Sequence, residues 1–163
     1  MADGFQEFDL NDTSPTETLT VELVPSTAWG KNLRSDLPRK DWDKLRKMTY
    51  AAAGYHCEIC GGKGPKHPVE CHEIWDYDEK THVQKLVRLI ALCPACHGVK
   101  HFGFTQTQGF ADEAIAHMME VNGWTERQAR EHVRDAARIW NERSVHEWTL
   151  DLSWLLSVGV PIP

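Results

Sequence analysis

Cys57-Glu-Ile-Cys60 and Cys93-Pro-Ala-Cys96-His97-Gly-Val-Lys100-His101 bracket a segment that contains Val69-Glu-Cys-His-Glu-Ile74 and the apolar run Leu89-Ile-Ala-Leu92. Each Cys-x-x-Cys pair sets two thiolates at the spacing a tetrahedral zinc ion takes, and four thiolates with no open position make a structural site. The 32 residues between Cys60 and Cys93 exceed the gap of a simple zinc ribbon, so a hairpin is expected between the two knuckles. Val69 to Trp75 reads as its first strand, Asp76 to Lys80 as its turn and Leu86 to Leu92 as its second strand. Four buried free cysteines, or an iron-sulfur cluster in a chain with no other redox signature, are the competing readings of the same cysteines. Cys71 is the fifth cysteine and stands outside both pairs.

Working outward, the 163 residues are enough for one domain with a core of its own, so the metal adds to the core and does not replace it. Residues 1–17 are acidic and polar and are expected to be disordered, with 18–163 forming the domain. No apolar run reaches the roughly 18 residues that cross a bilayer, and no secretory signal is apparent, so a cytoplasmic protein without membrane contact is expected. The net charge of -6 is uneven: residues 1–30 carry -6, residues 31–104 carry +4 and residues 105–163 carry -4. The middle block is the one suited to meet phosphate.

Thr18 to Val24 alternates and is expected to be a strand ending at Pro25. A helix is expected from Pro38 to about Ala53, capped at Gly54. A helix after Cys96 should end before Gly103, and another is expected from Phe110 to Val121, stopped near Gly123. Thr125 with Gln128 three positions on is a capping-box signal for a long helix to about Ser144. Trp148 to Leu152 alternates again and is expected to return and pair with the Thr18–Val24 strand. Trp29, Trp42, Trp75, Trp124, Trp140, Trp148 and Trp154 are expected in the core. Arg127, Arg130, Arg134 and Arg138 form a stripe that Glu131 and Asp135 are expected to neutralise. His56, His82, His117 and His132 are assigned no role, and Asp76, Asp78 and Glu79 are read as a solvated turn.

His97 and His101 lie four residues apart, which on a helix puts both imidazoles on one face and within reach of one metal ion. His72, on a strand facing that helix, is the natural third ligand. The order of these parts, a knuckle, a strand with a Glu-x-His core, a second strand and Leu-Cys-x-x-Cys-His-x-x-x-His, resembles the HNH or ββα-metal endonucleases over about residues 55–104. The resemblance implies a zinc-knuckled ββα-metal centre, and with the elements read above it makes an α+β fold in which that centre is flanked by helices and a small antiparallel sheet of the two end strands, with a helical C-terminal extension.

The same resemblance implies roles. The family's first strand usually ends in Asp-His or His-His, a metal ligand followed by the general base. In this register His72 is the ligand and Glu73 the base, while Arg88 takes the place of the family's middle Asn. Glu73 then either acts as a carboxylate base, with Arg88 orienting it or clamping phosphate, or joins His72, His97 and His101 as a fourth ligand that closes the site. A register with Cys71 as ligand and His72 as base would break strand alternation before Ile74. Arg88 and Lys100 are the expected nucleic-acid contacts. The cofactors implied are a structural zinc on Cys57, Cys60, Cys93 and Cys96 and a second divalent ion (Zn2+, Ni2+, Mn2+ or Mg2+) at the histidines; imidazole ligands suit the transition metals better than Mg2+. The implied activity is metal-dependent hydrolysis of DNA phosphodiester bonds by a nuclease, acting alone or within a larger complex. The alternative is a zinc-binding module that recognises nucleic acid or protein without catalysis.

Overall fold

The structure, a computed structural model, describes residues 18–163, so the expected disorder of residues 1–17 falls outside the described residues. Its centre is the hairpin of β1 (Glu70–Asp78) and β2 (Val83–Leu92), antiparallel with His72 opposite Ile90 and Glu73 opposite Leu89. Both strands run further toward the turn than the sequence suggests. Asp78 Oδ1 accepts from the backbone N–H groups of Lys80 and Thr81, which closes the turn at Glu79 to His82. A register shift between Ile74 and Trp75 is a bulge, and Trp75 faces Leu86 beyond it. Bulges twist and bend a strand pair, here directly beyond the residues of interest.

The hairpin divides the apolar interior in two. One cluster gathers Ile90 and Leu92 with Val99, Phe102, Ile115, Met118 and Ala129 from the helices that follow. These helices are α3 (Pro94–Lys100), α4 (Phe102–Thr107), α5 (Ala111–Asn122) and α6 (Glu126–Arg143). The other cluster gathers Leu86 and Leu89 with Leu33 of α1 (Leu33–Asp36), Leu45 of α2 (Arg39–Ala52) and Leu155 of α7 (Trp154–Ser157). A hairpin covered on both faces must be apolar on both faces. That is why Leu89, Ile90, Ala91 and Leu92 are all buried without alternation.

The helix boundaries follow local chemistry. Pro38 precedes α2, where its missing N–H costs nothing, and its carbonyl accepts from Asp41 and Trp42. Gly54 at φ +59° then turns the chain toward the first knuckle. Gly123 stops α5 in the left-handed conformation (φ +66°), and Thr125 with Gln128 forms the expected capping box of α6. Three of the four arginines of the α6 stripe are paired, Arg127 on Glu131 as expected, Arg130 on Glu126 and Asp112, and Arg138 on Glu142, whereas among the described residues Arg134 and Asp135 form no ion pair. The helix at the second knuckle begins at Pro94, before Cys96 rather than after it, because the Cys93 sulfur caps it by accepting from the Cys96 N–H.

Two expectations are corrected. Thr18 to Val24 is extended and buries Leu19 and Val21, but among the described residues it pairs with no strand. Its backbone is met by side chains and a helix end: Asn122 both donates to and accepts from Leu19, His132 Nε2 accepts from Val21, and Lys100 O accepts from Glu22. The small antiparallel sheet of two end strands is therefore not formed. Instead β3 (Thr149–Asp151) adds parallel to the start of β2, giving a mixed sheet in the order β1-β2-β3. Trp148 is buried as expected, whereas Trp29 is 65% exposed. Among the described residues no helix is long and apolar enough to cross a membrane.

Candidate metal centres and the clefts around them

The first knuckle is stitched to β2 beyond the reach of β3. The N–H of Glu58 donates to Ala91 O at 2.9 Å and the N–H of Ala91 to Glu58 Oε2 at 2.7 Å. Gly62 N–H donates to Cys60 Sγ as Cys96 N–H does to Cys93 Sγ, bonds that favour ionised sulfur. A Cβ on Gly64 would lie 2.3 Å from His67 O and 2.6 Å from Pro94 Cδ, so glycine lets the two knuckle loops close on each other.

The four sulfurs of Cys57, Cys60, Cys93 and Cys96 lie within 4.8 Å of one another, an arrangement able to hold a structural metal such as zinc. Without a cation they do not ionise together. Hydrogen bonds from Cys93 and Cys96 hold the Cys57 thiol far below its usual range, and that hydrogen bonding in turn pushes Cys93 up to about 12 and Cys96 higher still. A donor set that concentrates negative charge in this way fits a bound cation. His117, to which the sequence assigned no role, places Nε2 3.2 Å from Cys96 Sγ.

The second cluster joins the hairpin to α3. One turn of α3 carries the chain from His97 to His101, with the His101 N–H on His97 O, and sets their rings 4.7 Å apart. His72 comes from β1, is 4% exposed, and places Nδ1 3.2 Å from His101 Nε2. One nitrogen from each of the three lies within 4.8 Å of the others, and among the described residues no carboxylate joins the group.

Carboxylates occupy the outer nitrogens instead. His72 Nε2 lies 2.9 Å from Glu22 Oε2, and His97 Nδ1 is hydrogen-bonded to Glu70. An imidazole that donates one N–H outward presents the lone pair of its other nitrogen inward, the orientation a metal ligand needs. These contacts leave His72 Nδ1 and His97 Nε2 for an ion, so the donor set fits a divalent metal with three protein ligands. Sequence reasoning missed Glu22 and Glu70. Glu70 lies two residues before His72 and carried a faint signal, whereas Glu22 is 50 residues from His72 and carried none.

Burial of the site explains its electrostatics. Desolvation, with help from His97 and His72, lowers His101 to about 4 from an ordinary 6.5, and desolvation also lowers His97 despite Glu70. Burial pushes Glu22 and Glu70 up, but the hydrogen bonds and charges of His72 and Lys100 around Glu22, and of His97 and His67 around Glu70, together outweigh it and hold both below the usual carboxylate range. The neutral imidazole is the form that binds metal, so at His97 and His101 protons compete with an ion only below the ordinary 6.5. In protein dialysed across a pH series and analysed for metal, the ion at the histidines is expected to be half released well below pH 6.5. Half release near 6.5, as for exposed imidazole, would contradict the burial.

Lys100, expected on a nucleic-acid surface, is 1% exposed, with Nζ 2.7 Å from Glu22 Oε1 and 3.1 Å from Thr20 Oγ1. Its charge is spent on holding Glu22 behind His72, which corrects that expectation. Arg88 Nη1 donates to Glu58 Oε1 at 3.1 Å, beside the first knuckle, and Arg88 lines none of the clefts at the histidines. Cys71 alternates away from His72 into the second apolar cluster, where burial pushes its thiol up to about 12, so a ligand role for it is not supported.

Glu73 also alternates away from His72, but β1 is an edge strand, and Glu73 reaches the groove along that edge. Its Oε1 accepts from Leu33 N–H at 3.1 Å. The groove, about 940 Å³, is lined by Glu73, His97 and His101 and by Arg34, Arg39 and Arg46. Arg39 and Arg46 share Asp43, while Arg34 has no ion pair among the described residues. The basic stretch Lys31 to Arg39, joined by Arg46 of α2, thus supplies the cations that Arg88 and Lys100 do not. Comparison with protein-family models, with curated proteins and with solved structures finds no match to this chain.

Proposed function

We propose that the chain is a metal-dependent nuclease of the ββα-metal type, hydrolysing a phosphodiester of nucleic acid, DNA in the first instance. The observation that carries this reading is the cluster of three imidazoles with no fourth protein ligand among the described residues, two of them lining a groove shared with Glu73 and three arginines. Structural zinc sites are closed by four protein ligands, whereas catalytic sites keep a position open. A divalent ion on His72, His97 and His101 would supply Lewis acidity toward a phosphoryl oxygen and the leaving group.

The chain's own residues do the rest. Arg34, Arg39 and Arg46 attract the phosphate backbone, and their planar guanidinium groups can hold a phosphate by paired hydrogen bonds. Glu22 and Glu70 fix the tautomers of His72 and His97, and Lys100 fixes Glu22. Glu73, anchored through Oε1 to Leu33, has Oε2 left to take a proton from an attacking water. Because Glu73 lies outside the histidine cluster, the base role is favoured over that of fourth ligand.

Glu73→Gln tests this assignment. It keeps the shape and an acceptor for Leu33 N–H but cannot take a proton, so single-turnover cleavage should fall on the order of 10²-fold or more with metal content unchanged. An active Glu73→Gln protein would remove Glu73 as base, and loss of metal together with rate would make it a ligand. A wild-type protein that holds its second ion yet cleaves no nucleic acid would turn the reading to a binding module.

A further inference from the structure

On the other side of His101 from the arginine groove lies a second cleft of about 620 Å³, walled by Leu23, Val24, Trp29, Phe104 and Trp140. His101 and Asn32 line both clefts, so the two meet at the histidine centre. Phe104 is 69% exposed and Trp29 nearly as much, while Trp140 stacks against Trp29 with centroids 6.0 Å apart and planes inclined by 30°. Single exposed apolar residues are ordinary, but exposed aromatics gathered on one cleft mark a binding surface.

Both indole N–H groups are already spent: Trp29 Nε1 and Trp140 Nε1 each donate to Val24 O at 2.9 Å. The rings are therefore held in orientation and offer faces, not donors, to whatever enters. Such a wall stacks flat π-systems without reading their edges.

The layout of charge names the occupant. Three arginines lie on one side of the histidines and an aromatic wall on the other, where the charges of Lys31 and Glu22 are of opposite sign, the same alternation as phosphate and base along a nucleotide chain. In a duplex the bases are stacked and paired and cannot enter a side cleft. We propose that this cleft takes one unpaired nucleobase of a single-stranded nucleic acid whose adjoining phosphate lies at His72, His97 and His101. The substrate class is then single-stranded or locally unpaired nucleic acid, an inference that rests on the nuclease reading for its phosphate but not for its base.

The test measures binding and cleavage side by side. A labelled single-stranded phosphorothioate oligonucleotide, the same length of abasic strand and a hairpin duplex are titrated with wild type, Trp29→Ala, Trp29→Phe and Phe104→Ala. Trp29→Ala should weaken binding of the base-bearing strand about tenfold and leave the abasic strand unaffected. Trp29→Phe, which keeps an aromatic face, should recover most of the loss. Phe104→Ala alters an exposed side chain and so reports on the cleft even if Trp29→Ala disturbs the packing of Trp140. With cleavable strands, the preference of wild type for single strands over duplex should shrink in the same variants. Equal losses on base-bearing and abasic strands, or no loss in either alanine variant, would overturn the cleft assignment while leaving cleavage intact. Base-dependent binding by a protein that cleaves nothing would support the cleft and remove the nuclease reading instead.

Discussion

Cys93→Ser should fail to yield a folded, zinc-containing protein. Cys93 does three things at once: it is one of four sulfurs that can close on an ion, its Sγ caps α3, and it lies 3.6 Å from Cys60 Sγ across the two knuckles. Serine can still cap a helix, so the loss isolates the metal contribution, which in small zinc sites is on the order of 10 kcal/mol. Because that is comparable to the whole stability of an ordinary domain, about 5–15 kcal/mol, circular dichroism of the variant should show lost helix and metal analysis lost zinc. A soluble, fully helical Cys93→Ser protein with its zinc retained would sink the structural-site assignment.

His101→Ala should behave in the opposite way. The ring contributes to the second cluster alone, while α3 is held by the knuckle and by buried Val99 and Phe102. Removing it also relieves a crowded group of three neighbouring imidazoles, two of which burial holds below their ordinary range. The fold should survive with the knuckle metal in place, and metal-dependent cleavage should fall by about three orders of magnitude, to the limit of detection. If His101→Ala loses secondary structure as completely as Cys93→Ser, the histidine site is a structural site and the open position has no catalytic meaning.

Those two variants separate what was legible in the sequence from what was not. Cys-x-x-Cys spacing, the hairpin between the knuckles, the four-residue step from His97 to His101, and the Thr125–Gln128 cap are local patterns, and each appears where the residues suggested. The misreadings share one physical cause. Thr18 to Val24 alternates like a strand because Leu19 and Val21 are buried, yet its hydrogen-bond partners are Asn122, His132 and Lys100, at least 78 residues away, which no local pattern encodes. Lys100 reads as a surface cation until Glu22 is folded against it. Trp29 reads as core because tryptophan usually is, but its N–H is satisfied by Val24 and its ring is left on the surface. The HNH resemblance pointed to the histidines and to Glu73, whereas the cations that face them are Arg34, Arg39 and Arg46, which it does not cover.

The most direct measurement is metal content followed beside cleavage in one preparation of wild-type protein. Purified protein should hold two ions per chain. A mild chelator should remove the one at His72, His97 and His101 with the loss of cleavage and no loss of helix, and a divalent ion returned in one equivalent should restore the rate. Cleavage that persists with that ion removed, or a second ion that is present, exchangeable and without effect on any nucleic acid, would contradict a hydrolytic role for the histidine centre.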